Sequence, residues 1–473
     1  MTPDEFKKLG YQLVDWVSEY LTKVGDYPVC SSLQPGEIKE KLPAQPPIKA
    51  ESMADIFQDF EKVIFPGMTH WQHPGWFAYF PANNSPPSIL AELLTAGLGA
   101  QCMIWKTSPA AAELEEVVCD WLRQMLALPK GFVGVIQDTA STSTLVALLT
   151  AREKATAFQS NIRGMKEPLC VYASQEAHSS VEKDVKIAGY GKESLRYIPT
   201  DENYALIPEL LEQAIEQDKK QGLTPACVVA TLGTTSSGAV DPLEPIGKIC
   251  QRHKIWLHVD AAYAGTAALL PEKRWILEGV EKVDSFVFNP HKWMLTNFDC
   301  SAYFVKDKEA LIKTFEIHPE YLKTGVDAVV NNYRDWGIQL GRRFRALKLW
   351  FVIRTYGVEG IQALIRKHIA LAQKFREWLE ADSRFEILAP THFSLVCFRL
   401  NDGRNEAALN ELNRIFHDRI NQSGQIFLTH TSLKGKYTLR LVVGSRTTEE
   451  KHVQQAWEII RQAADALLGG GKS

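Results

Sequence analysis

The chain has 473 residues, of which 45% are hydrophobic and 23% charged, and a formal net charge of −3 at pH 7. This length is enough for two or three domains around a large buried core. The near-neutral charge gives no indication of nucleic acid or an anionic membrane as partner, and no run approaches the ~18 apolar residues of a membrane span. The eight cysteines lack metal-ligand spacing, so the sequence predicts reduced thiols, a cytoplasmic location and no metal.

The first 85 residues are predicted to form a helical N-terminal part, 1–85. Thr2-Pro3-Asp4-Glu5 has the pattern of a capping box with proline at the first helical position. Apolar residues then recur at steps of three and four and predict a helix over 2–24 with a bulky apolar face. Either the same domain or a second subunit would cover that face. A proline-rich extended stretch, 25–50, and a second helix, 52–65, follow.

Residues 70–81 form an aromatic segment with the sequence HWQHPGWFAYFP. It contains too much proline and glycine for a helix or a strand. Exposed loops seldom carry so many aromatic side chains, so we expect the segment to line a pocket or an interface. A loop that only caps the core is the alternative.

Residues 86–356 alternate between strand-like and helix-like patterns. The predicted strands are 133–136, 169–173, 195–198, 226–231, 255–259, 285–288 and 301–305. The predicted helices between them include 111–128, 142–158, 205–219 and 243–253. This alternation predicts an α/β fold with a mostly parallel, seven-stranded sheet and helices on both faces. Ligands bind such sheets at the carboxyl ends of the strands.

Residues 357–473 follow a predicted helix over 342–356 that Gly357 ends. They alternate between helices and strands at 358–380, 385–388, 394–400, 404–421, 425–431, 436–443 and 447–468. This pattern predicts a smaller α+β domain at the C-terminus.

Lys292 lies just past a predicted buried strand, in the segment Asn289-Pro290-His291-Lys292. Burying an ammonium group is costly. A desolvated lysine loses its proton easily and can form an imine with an aldehyde. The alternative is a surface lysine that begins a loop.

Asp260 ends another apolar strand, 32 residues before Lys292. A carboxylate in this position needs a cation or a metal as partner. No metal ligands lie nearby in sequence, so a protonated ring nitrogen is one candidate and a salt bridge to an arginine is the other. The spacing allows one helix and one neighbouring strand, so both residues can reach one site.

Two segments rich in small and hydroxyl side chains each follow a predicted strand. Residues 139–144 open a helix, where backbone N–H groups and the helix dipole favour a dianion. Residues 231–238 form a turn-prone loop of the same composition. Simple helix capping explains the first segment equally well when it is taken alone. No nucleotide-binding glycine motif is present, so the pair favours a different phosphorylated ligand.

Several segments, in order along the chain, resemble the aromatic amino acid decarboxylases of the group II pyridoxal phosphate (PLP) enzymes. These are Thr69-His70-Trp71, Ala78-Tyr79-Phe80-Pro81, Ala177-His178-Ser179-Ser180, His258-Val259-Asp260-Ala261-Ala262-Tyr263-Ala264-Gly265, Asn289-Pro290-His291-Lys292-Trp293 and Leu340-Gly341-Arg342-Arg343-Phe344-Arg345. The resemblance extends from about residue 1 to 465. It implies the PLP-dependent transferase-like fold of aspartate aminotransferase, fold type I, and a homodimer.

The resemblance also implies roles for individual residues. Lys292 would bind PLP covalently, Asp260 would hold its protonated ring nitrogen, and His178 would stack on its ring. The implied phosphate ligands are Thr139, Ala140, Ser141, Asn289 and His291, and the implied neighbours of the ring are Thr235 and Ala262. Tyr321 matches the tyrosine of a mobile loop that protonates the substrate carbon after CO2 leaves.

The implied substrate pocket consists of Trp71, Tyr79, Phe80, Pro81 and Ala82, with Met103 from the other subunit, Gly341 and Arg440. Ala82 replaces a hydroxyl residue of many relatives, which weakens the case for a catechol substrate. Met103 replaces an aromatic residue and softens the wall. Gly341 matches a glycine that accompanies indole substrates in plant relatives.

The sequence therefore predicts a cytoplasmic, PLP-dependent decarboxylase of tryptophan, phenylalanine, tyrosine or DOPA. One alternative is an aromatic acetaldehyde synthase, which Tyr321 and His178 disfavour because phenylalanine at the tyrosine position accompanies that reaction. Decarboxylation of histidine or acidic amino acids would need a more polar segment 70–103. A catalytically inactive scaffold with the PLP fold is the alternative from another class.

Overall fold

The computed structural model describes residues 1–317, 325 and 329–469. These residues contain eleven strands, which form two sheets. Those of the large sheet are Val133–Gln137 (β1), Leu169–Ser174 (β2), Leu195–Ile198 (β3), Thr224–Thr231 (β4), Trp256–Asp260 (β5), Ser285–Phe288 (β6) and Ser301–Val305 (β7). Those of the small sheet are Phe385–Ile387 (β8), Leu395–Leu400 (β9), Thr429–Leu433 (β10) and Lys436–Val442 (β11).

The α-helices connect and cover these strands. They are Pro3–Lys23 (α1), Glu37–Lys41 (α2), Met53–Asp59 (α3), Pro86–Leu98 (α4), Pro109–Met125 (α5), Ala140–Ala155 (α6), Ser160–Arg163 (α7), Ser180–Ile187 (α8), Pro208–Lys220 (α9), Leu243–His253 (α10), Pro290–Trp293 (α11), Lys308–Phe315 (α12), Arg345–Glu380 (α13), Glu406–Asn421 (α14) and Glu450–Leu468 (α15). Gly357 interrupts α13 with φ 63° and ψ 170°, a conformation that glycine adopts readily. The division of the chain at residues 85 and 356 stays a prediction.

The large sheet has the order β1-β7-β6-β5-β4-β2-β3. Strands β3, β2, β4, β5 and β6 are parallel to their neighbours, whereas β7 is antiparallel to both β6 and β1. The prediction of a mostly parallel, seven-stranded sheet is confirmed. Because β1 therefore runs in the same direction as β6, the carboxyl ends of six strands lie at one edge.

Helices cover both faces of this sheet, because side chains alternate between the faces along each strand. In β4, Val228 and Ala230 pack in a core layer with residues of α9 and α10. Cys227 and Val229 pack in the opposite layer, with residues of α6 and α8. Along β5, Leu257 and Val259 belong to the first layer, so Asp260 points towards the α6 and α8 side.

The small sheet is antiparallel, with the order β10-β11-β9-β8, and α13, α14 and α15 pack against it. The predicted strand 425–431 was wrong in position, since β10 begins at Thr429. The reason is a long-range contact: Phe427 forms a parallel bridge with Trp76 of the aromatic segment, and its carbonyl accepts a 3.1 Å hydrogen bond from Phe77 N. The N-terminal part is thereby joined to the small sheet.

The N-terminal helix α1 has the predicted capping box, with Thr2 and Glu5 bonding each other's backbone N–H groups. Trp16 and Tyr20 on its inner face join an aromatic cluster with Phe65. Phe6 and Leu13, nearer the start of the same apolar face, are exposed in this chain. Among the described helices, none combines the length and the apolarity that crossing a bilayer requires.

Candidate active site

Lys292 lies at the carboxyl edge of the large sheet, on the one-turn helix α11 that directly follows β6. Its carbonyl accepts a 2.8 Å hydrogen bond from Asn83 Nδ2, and its Nζ lies 5.5 Å from the centroid of the Phe80 ring. Burial lowers the pKa of the Lys292 amine, and the charge of Asp260 acts in the opposite direction. The amine is therefore more readily neutral, and more nucleophilic, than that of a surface lysine.

Asp260 ends β5, in register with Thr231 of β4 and Val287 of β6. The residue is 5% exposed, and its Oδ1 accepts a 3.0 Å hydrogen bond from Ala262 N. The salt bridge to an arginine that the sequence left open is not found, since no ion pair of Asp260 occurs within the described ranges. The carboxylate is thus available for another cation at the sheet edge.

His178 follows β2 and lies within electrostatic reach of both groups. Burial lowers its pKa, while the charge of Asp260 raises it and that of Lys292 lowers it further. Its Nδ1 accepts a 3.1 Å hydrogen bond from Ser180 N and lies 2.8 Å from Ser180 Oγ. Accepting an N–H at Nδ1 places the proton of the neutral ring on Nε2. The structure thus brings together the three residues to which the sequence analysis gave the leading roles.

The first hydroxyl-rich segment caps α6 at the same edge. Thr139 is the N-cap, and its Oγ1 accepts a 3.4 Å hydrogen bond from Thr142 N. Ala140 and Ser141 are the first two helical residues, whose backbone N–H groups have no partner inside the helix. A helix start of this kind binds a phosphate dianion well.

His291 and Asn289 flank Lys292 and are both buried. His291 Nδ1 accepts a 2.9 Å hydrogen bond from Cys300 N. Burial, with a smaller contribution from Lys292, lowers the pKa of His291 to about 3, so its ring is neutral. Asn289 Oδ1 is buried without a hydrogen-bond partner in the part of the chain that the structure describes.

The second hydroxyl-rich loop begins beside Asp260, whose carbonyl accepts a 2.9 Å hydrogen bond from Leu232 N. Gly233 has φ +83°, and a Cβ on it would lie 2.5 Å from that of Ala264, so a larger residue does not fit without strain. Thr234 Oγ1 and Ser237 Oγ are 2.7 Å apart. The loop therefore holds the partly exposed Thr235 at the edge near Asp260 in a fixed turn.

The aromatic segment contributes one side of the site. The Phe80 ring stacks on Tyr263 with centroids 3.9 Å apart, and Tyr263 stacks on Trp293 at 4.6 Å. Trp71 and Tyr79 stack at 5.7 Å and are more exposed, at 37% and 51%. This arrangement gives a rigid inner wall and a more open outer pair. Pro81 and Ala82 continue the segment, and the Ala82 carbonyl accepts a 2.6 Å hydrogen bond from Gln72 Nε2.

Arg440 of β11 approaches the same wall from the small sheet. Its guanidinium carbon lies 5.5 Å from the Phe80 ring centroid, and the residue is 3% exposed. Nη1 donates a 2.8 Å hydrogen bond to Thr429 Oγ1. Nε and Nη2 are buried without a partner among the residues described. Unpaired guanidinium donors of this kind suit a carboxylate.

Two predicted site residues lie elsewhere. Met103 and Gly341 flank Gln101: the Met103 carbonyl accepts a 2.9 Å hydrogen bond from Arg334 N, and a Cβ on Gly341 would lie 3.2 Å from Gln101 Nε2. In the described residues no hydrogen bond joins this pair to Lys292. Tyr321 lies outside the described residues.

Sequence reasoning missed two residues of this region. Asn83 binds the carbonyls of both Lys292 and Gly444 at 2.8 Å and so ties the site to the small domain. No local pattern reveals such a role. Asp184 is a buried carboxyl on α8, close enough for the charge of Asp260 to raise its pKa. The sequence does contain a sign of this residue, because Asp184 is a charged residue on the helix face that Val181 and Val185 otherwise make apolar.

The arrangement fits PLP by the chemistry of its donors. Three groups lie along one sheet edge: a buried amine for an aldehyde, a carboxylate with no ion pair among the residues described for a ring nitrogen, and a helix start for a phosphate. With the seven-stranded sheet and the smaller antiparallel sheet, they define a PLP-dependent enzyme of fold type I.

Comparison with known proteins identifies the family. Residues 35–401 match the pyridoxal-dependent decarboxylase conserved domain, and the chain belongs to this family. It is 46% identical to tryptophan decarboxylase 2 of Oryza sativa subsp. japonica, over 99% of this chain and 96% of the relative. It is 45% identical to phenylacetaldehyde synthase of Arabidopsis thaliana, over 99% and 97%. The crystal structure of Oryza sativa TDC with PLP and tryptamine superposes with a TM-score of 0.96 at 38% identity, covering 99% of each chain.

Proposed function

We propose that the protein decarboxylates aromatic L-amino acids with PLP as cofactor and releases CO2 and the corresponding arylalkylamine. The observation that carries the proposal is the buried amine of Lys292 next to a wall of stacked aromatic rings at the carboxyl edge of the sheet. The relatives named after tryptophan and phenylacetaldehyde support an aromatic side chain. Tryptophan, phenylalanine, tyrosine and DOPA are the candidate substrates.

In this proposal Lys292 binds the cofactor, Asp260 keeps a proton on its ring nitrogen, and His178 lies against its ring. Thr139, Ala140, Ser141, Asn289 and His291 surround its phosphate, and Thr235 and Ala262 contact its ring. When bound, PLP supplies an electron sink for the pair of electrons left when CO2 departs. Because Lys292 is desolvated, its amine gives up its proton at a lower pH than an exposed lysine does.

The substrate is proposed to bind between the aromatic wall and Arg440. Phe80, which Tyr263 supports from behind, would offer a flat apolar surface for an aryl side chain, and the more exposed Trp71 and Tyr79 would close over it. Nε and Nη2 of Arg440, which have no partner among the described residues, would donate hydrogen bonds to the α-carboxylate. Stacked rings exclude water from the reacting carbon, which strengthens these polar contacts.

Tyr321 is proposed to donate the proton that replaces CO2 on the substrate carbon. The second candidate function is aldehyde formation, which the relative named phenylacetaldehyde synthase brings into consideration at 45% identity. The phenol of Tyr321 and a neutral His178 can both transfer protons, which favours protonation of the substrate carbon over aldehyde formation. We therefore expect Tyr321→Phe to divert part of the product to the aldehyde.

The test is product stoichiometry with each amino acid, together with the visible absorption of the purified protein. We expect CO2 and amine in equal amounts, without ammonia or peroxide. Lys292→Ala should abolish the visible band and the activity, whereas Lys254→Ala, at an exposed lysine, should change neither. Equimolar ammonia and aldehyde would establish the second function. A wild type that stays colourless with added PLP would exclude both and support an inactive scaffold.

We further propose a homodimer. Leu90, Leu94 and Leu98 form an exposed apolar stripe on α4. The apolar side chains of Phe6 and Leu13, near the start of α1, are also exposed. A second copy would cover both surfaces and bring Met103 and Gly341 to the partner's site. Leu94→Arg should yield monomers in sedimentation and lower the activity with them. A monomeric, fully active wild type would contradict this part of the proposal.

The cytoplasmic location predicted from the sequence remains part of the proposal. All eight cysteines are free thiols, and seven of them are buried. Free thiols are typical of a reducing compartment. Fractionation of cells that express the tagged, full chain would test it.

A further inference from the structure

Asp184 is a buried carboxyl that the proposed reaction does not use. It lies on the inner face of α8, six residues after His178, and is 3% exposed. Its Oδ2 has no hydrogen-bond partner within residues 1–317, 325 and 329–469. An ionised carboxylate without a donor is costly in such a place, so the group is a strong candidate for the neutral, protonated form.

The surroundings of Asp184 supply little to stabilise a negative charge. Val181 and Val185, its neighbours on the same helix face, belong to the apolar layer between α8 and α6. Among the nearby charges, Lys183 lowers the pKa of Asp184 and Asp260 of β5 raises it, but burial dominates and raises it to about 7.

The other charged groups of the elements packed against α8 have partners of their own. From α6, Arg152 donates a 2.7 Å hydrogen bond to the carbonyl of Ala188 and pairs with Glu153. From the turn after α8, Lys192 pairs with Glu182, which also binds Lys186.

Asp184 and Asp260 face the same layer of the fold. Along β5 the alternation of side chains directs Asp260 towards the α6 and α8 side, and Asp184 enters that layer from α8. Ionising both carboxyl groups in one apolar layer has a high cost in free energy, because the two negative charges repel each other. A cation held by Asp260 would remove this conflict, because it attracts both charges.

We propose that Asp184 is a proton-storing residue that couples occupancy of the cofactor site to pH: it is neutral in the cofactor-free protein and releases its proton to solvent when a cationic ring lies against Asp260. Asp184 thus acts through Asp260 as a positioning residue. This inference rests on the proposed cofactor site.

Thermodynamic linkage fixes the sign of the effect. A cation near Asp184 favours its ionised form, so cofactor binding lowers the pKa of Asp184 and one proton leaves the protein. By reciprocity, the ionised Asp184 holds the cationic ring more tightly. Relative to a variant without this carboxyl, the wild type should gain affinity for the cofactor as pH rises through about 7. The full gain in affinity is about tenfold if cofactor binding lowers the pKa of Asp184 by one, and about a further tenfold for each further one.

The test uses the full chain from which the cofactor has been removed and to which PLP is returned. Calorimetric titration near pH 7, in two buffers with different ionisation enthalpies, counts the protons exchanged on binding. At pH 7 the carboxyl of Asp184 in the cofactor-free protein is about half protonated, so wild type should release up to about half a proton more than Asp184→Asn. The protons of the cofactor itself cancel in this comparison. Glu182→Gln changes a partly exposed carboxylate on the same helix and should match the wild type.

The dissociation constant of PLP measured from pH 6 to 8 provides the second readout. The ratio of wild-type to Asp184→Asn affinity should rise over this range, and a constant ratio with equal proton release would overturn the inference. Asp184→Ala, which suits the apolar surroundings, replaces the asparagine variant if that one does not fold. A protein that binds no PLP at all would instead refute the proposed function.

Discussion

Replacing Arg440 by methionine tests the proposed binding of the substrate carboxylate. Arg440 has two buried nitrogens without a partner among the described residues, Nε and Nη2. A hydrogen bond to a charged group is worth about 1.5–3 kcal/mol, so two such bonds contribute about 3–6 kcal/mol. At tenfold for each 1.4 kcal/mol, Arg440→Met should lower kcat/KM for aromatic amino acids by about 10²–10⁴.

The arylalkylamine product separates this role from general damage to the pocket. The amine has the same ring but no carboxylate, so its inhibition constant should stay within about threefold of the wild-type value in Arg440→Met. The ligand-free variant should be at least as stable as the wild type, because methionine removes a buried charge that has no carboxylate partner in the described part of the chain.

Arg399 provides the contrast, since it is equally buried but paired with Glu386 and Glu406. Arg399→Met should lower the melting temperature and leave kcat/KM nearly unchanged. If Arg440→Met weakens binding of the amine as much as it lowers kcat/KM for the amino acid, or leaves kcat/KM unchanged, the assignment of Arg440 to the substrate carboxylate is wrong.

Two further predictions concern stability. Glu115 and Arg342 form a buried, bidentate ion pair with Nη2–Oε1 and Nη1–Oε2 distances of 2.6 and 3.1 Å. Glu115→Gln should therefore lower the free energy of unfolding in urea by about 3–5 kcal/mol, and a loss no greater than that of Glu116→Gln, at an exposed position, would contradict this. Burial lowers the pKa values of His258 and His291 from 6.5 to about 4 and about 3. The unfolded chain therefore takes up protons first as pH falls below 6.5, and the melting temperature should drop between pH 6.5 and 4; a flat profile over that interval would show that these rings are already charged in the folded protein.

Much of the large sheet could be predicted because its strands are buried on both faces. Their apolar runs, such as Phe286-Val287-Phe288, give an unambiguous signal, and the residue after each strand then falls at the ligand-binding edge. Lys292 and Asp260 are predicted as site residues in this way. Helix bounds were less accurate: α13 begins at Arg345, three residues later than predicted, since the preceding Phe344 is not helical.

What could not be predicted depends on contacts between distant parts of the chain. Strand β10 begins late because Phe427 pairs with Trp76, 351 residues earlier in the chain. Asn83 reaches the Lys292 carbonyl across 209 residues. Nε and Nη2 of Arg440 have no partner within the described ranges, which is likewise a property of three-dimensional packing, since a sequence shows an arginine but not whether it has a partner.

The ring column Phe80–Tyr263–Trp293 also has an optical consequence. Trp293 is fully buried, follows Lys292 directly in the chain, and donates a 2.9 Å hydrogen bond to His368 Nδ1. A chromophore attached to the neighbouring lysine would accept energy from the excited indole and quench its emission. If Lys292 holds the cofactor as proposed, Trp293 would be a native fluorescent probe of cofactor loading, and the emission lost on loading should be reduced in Trp293→Phe.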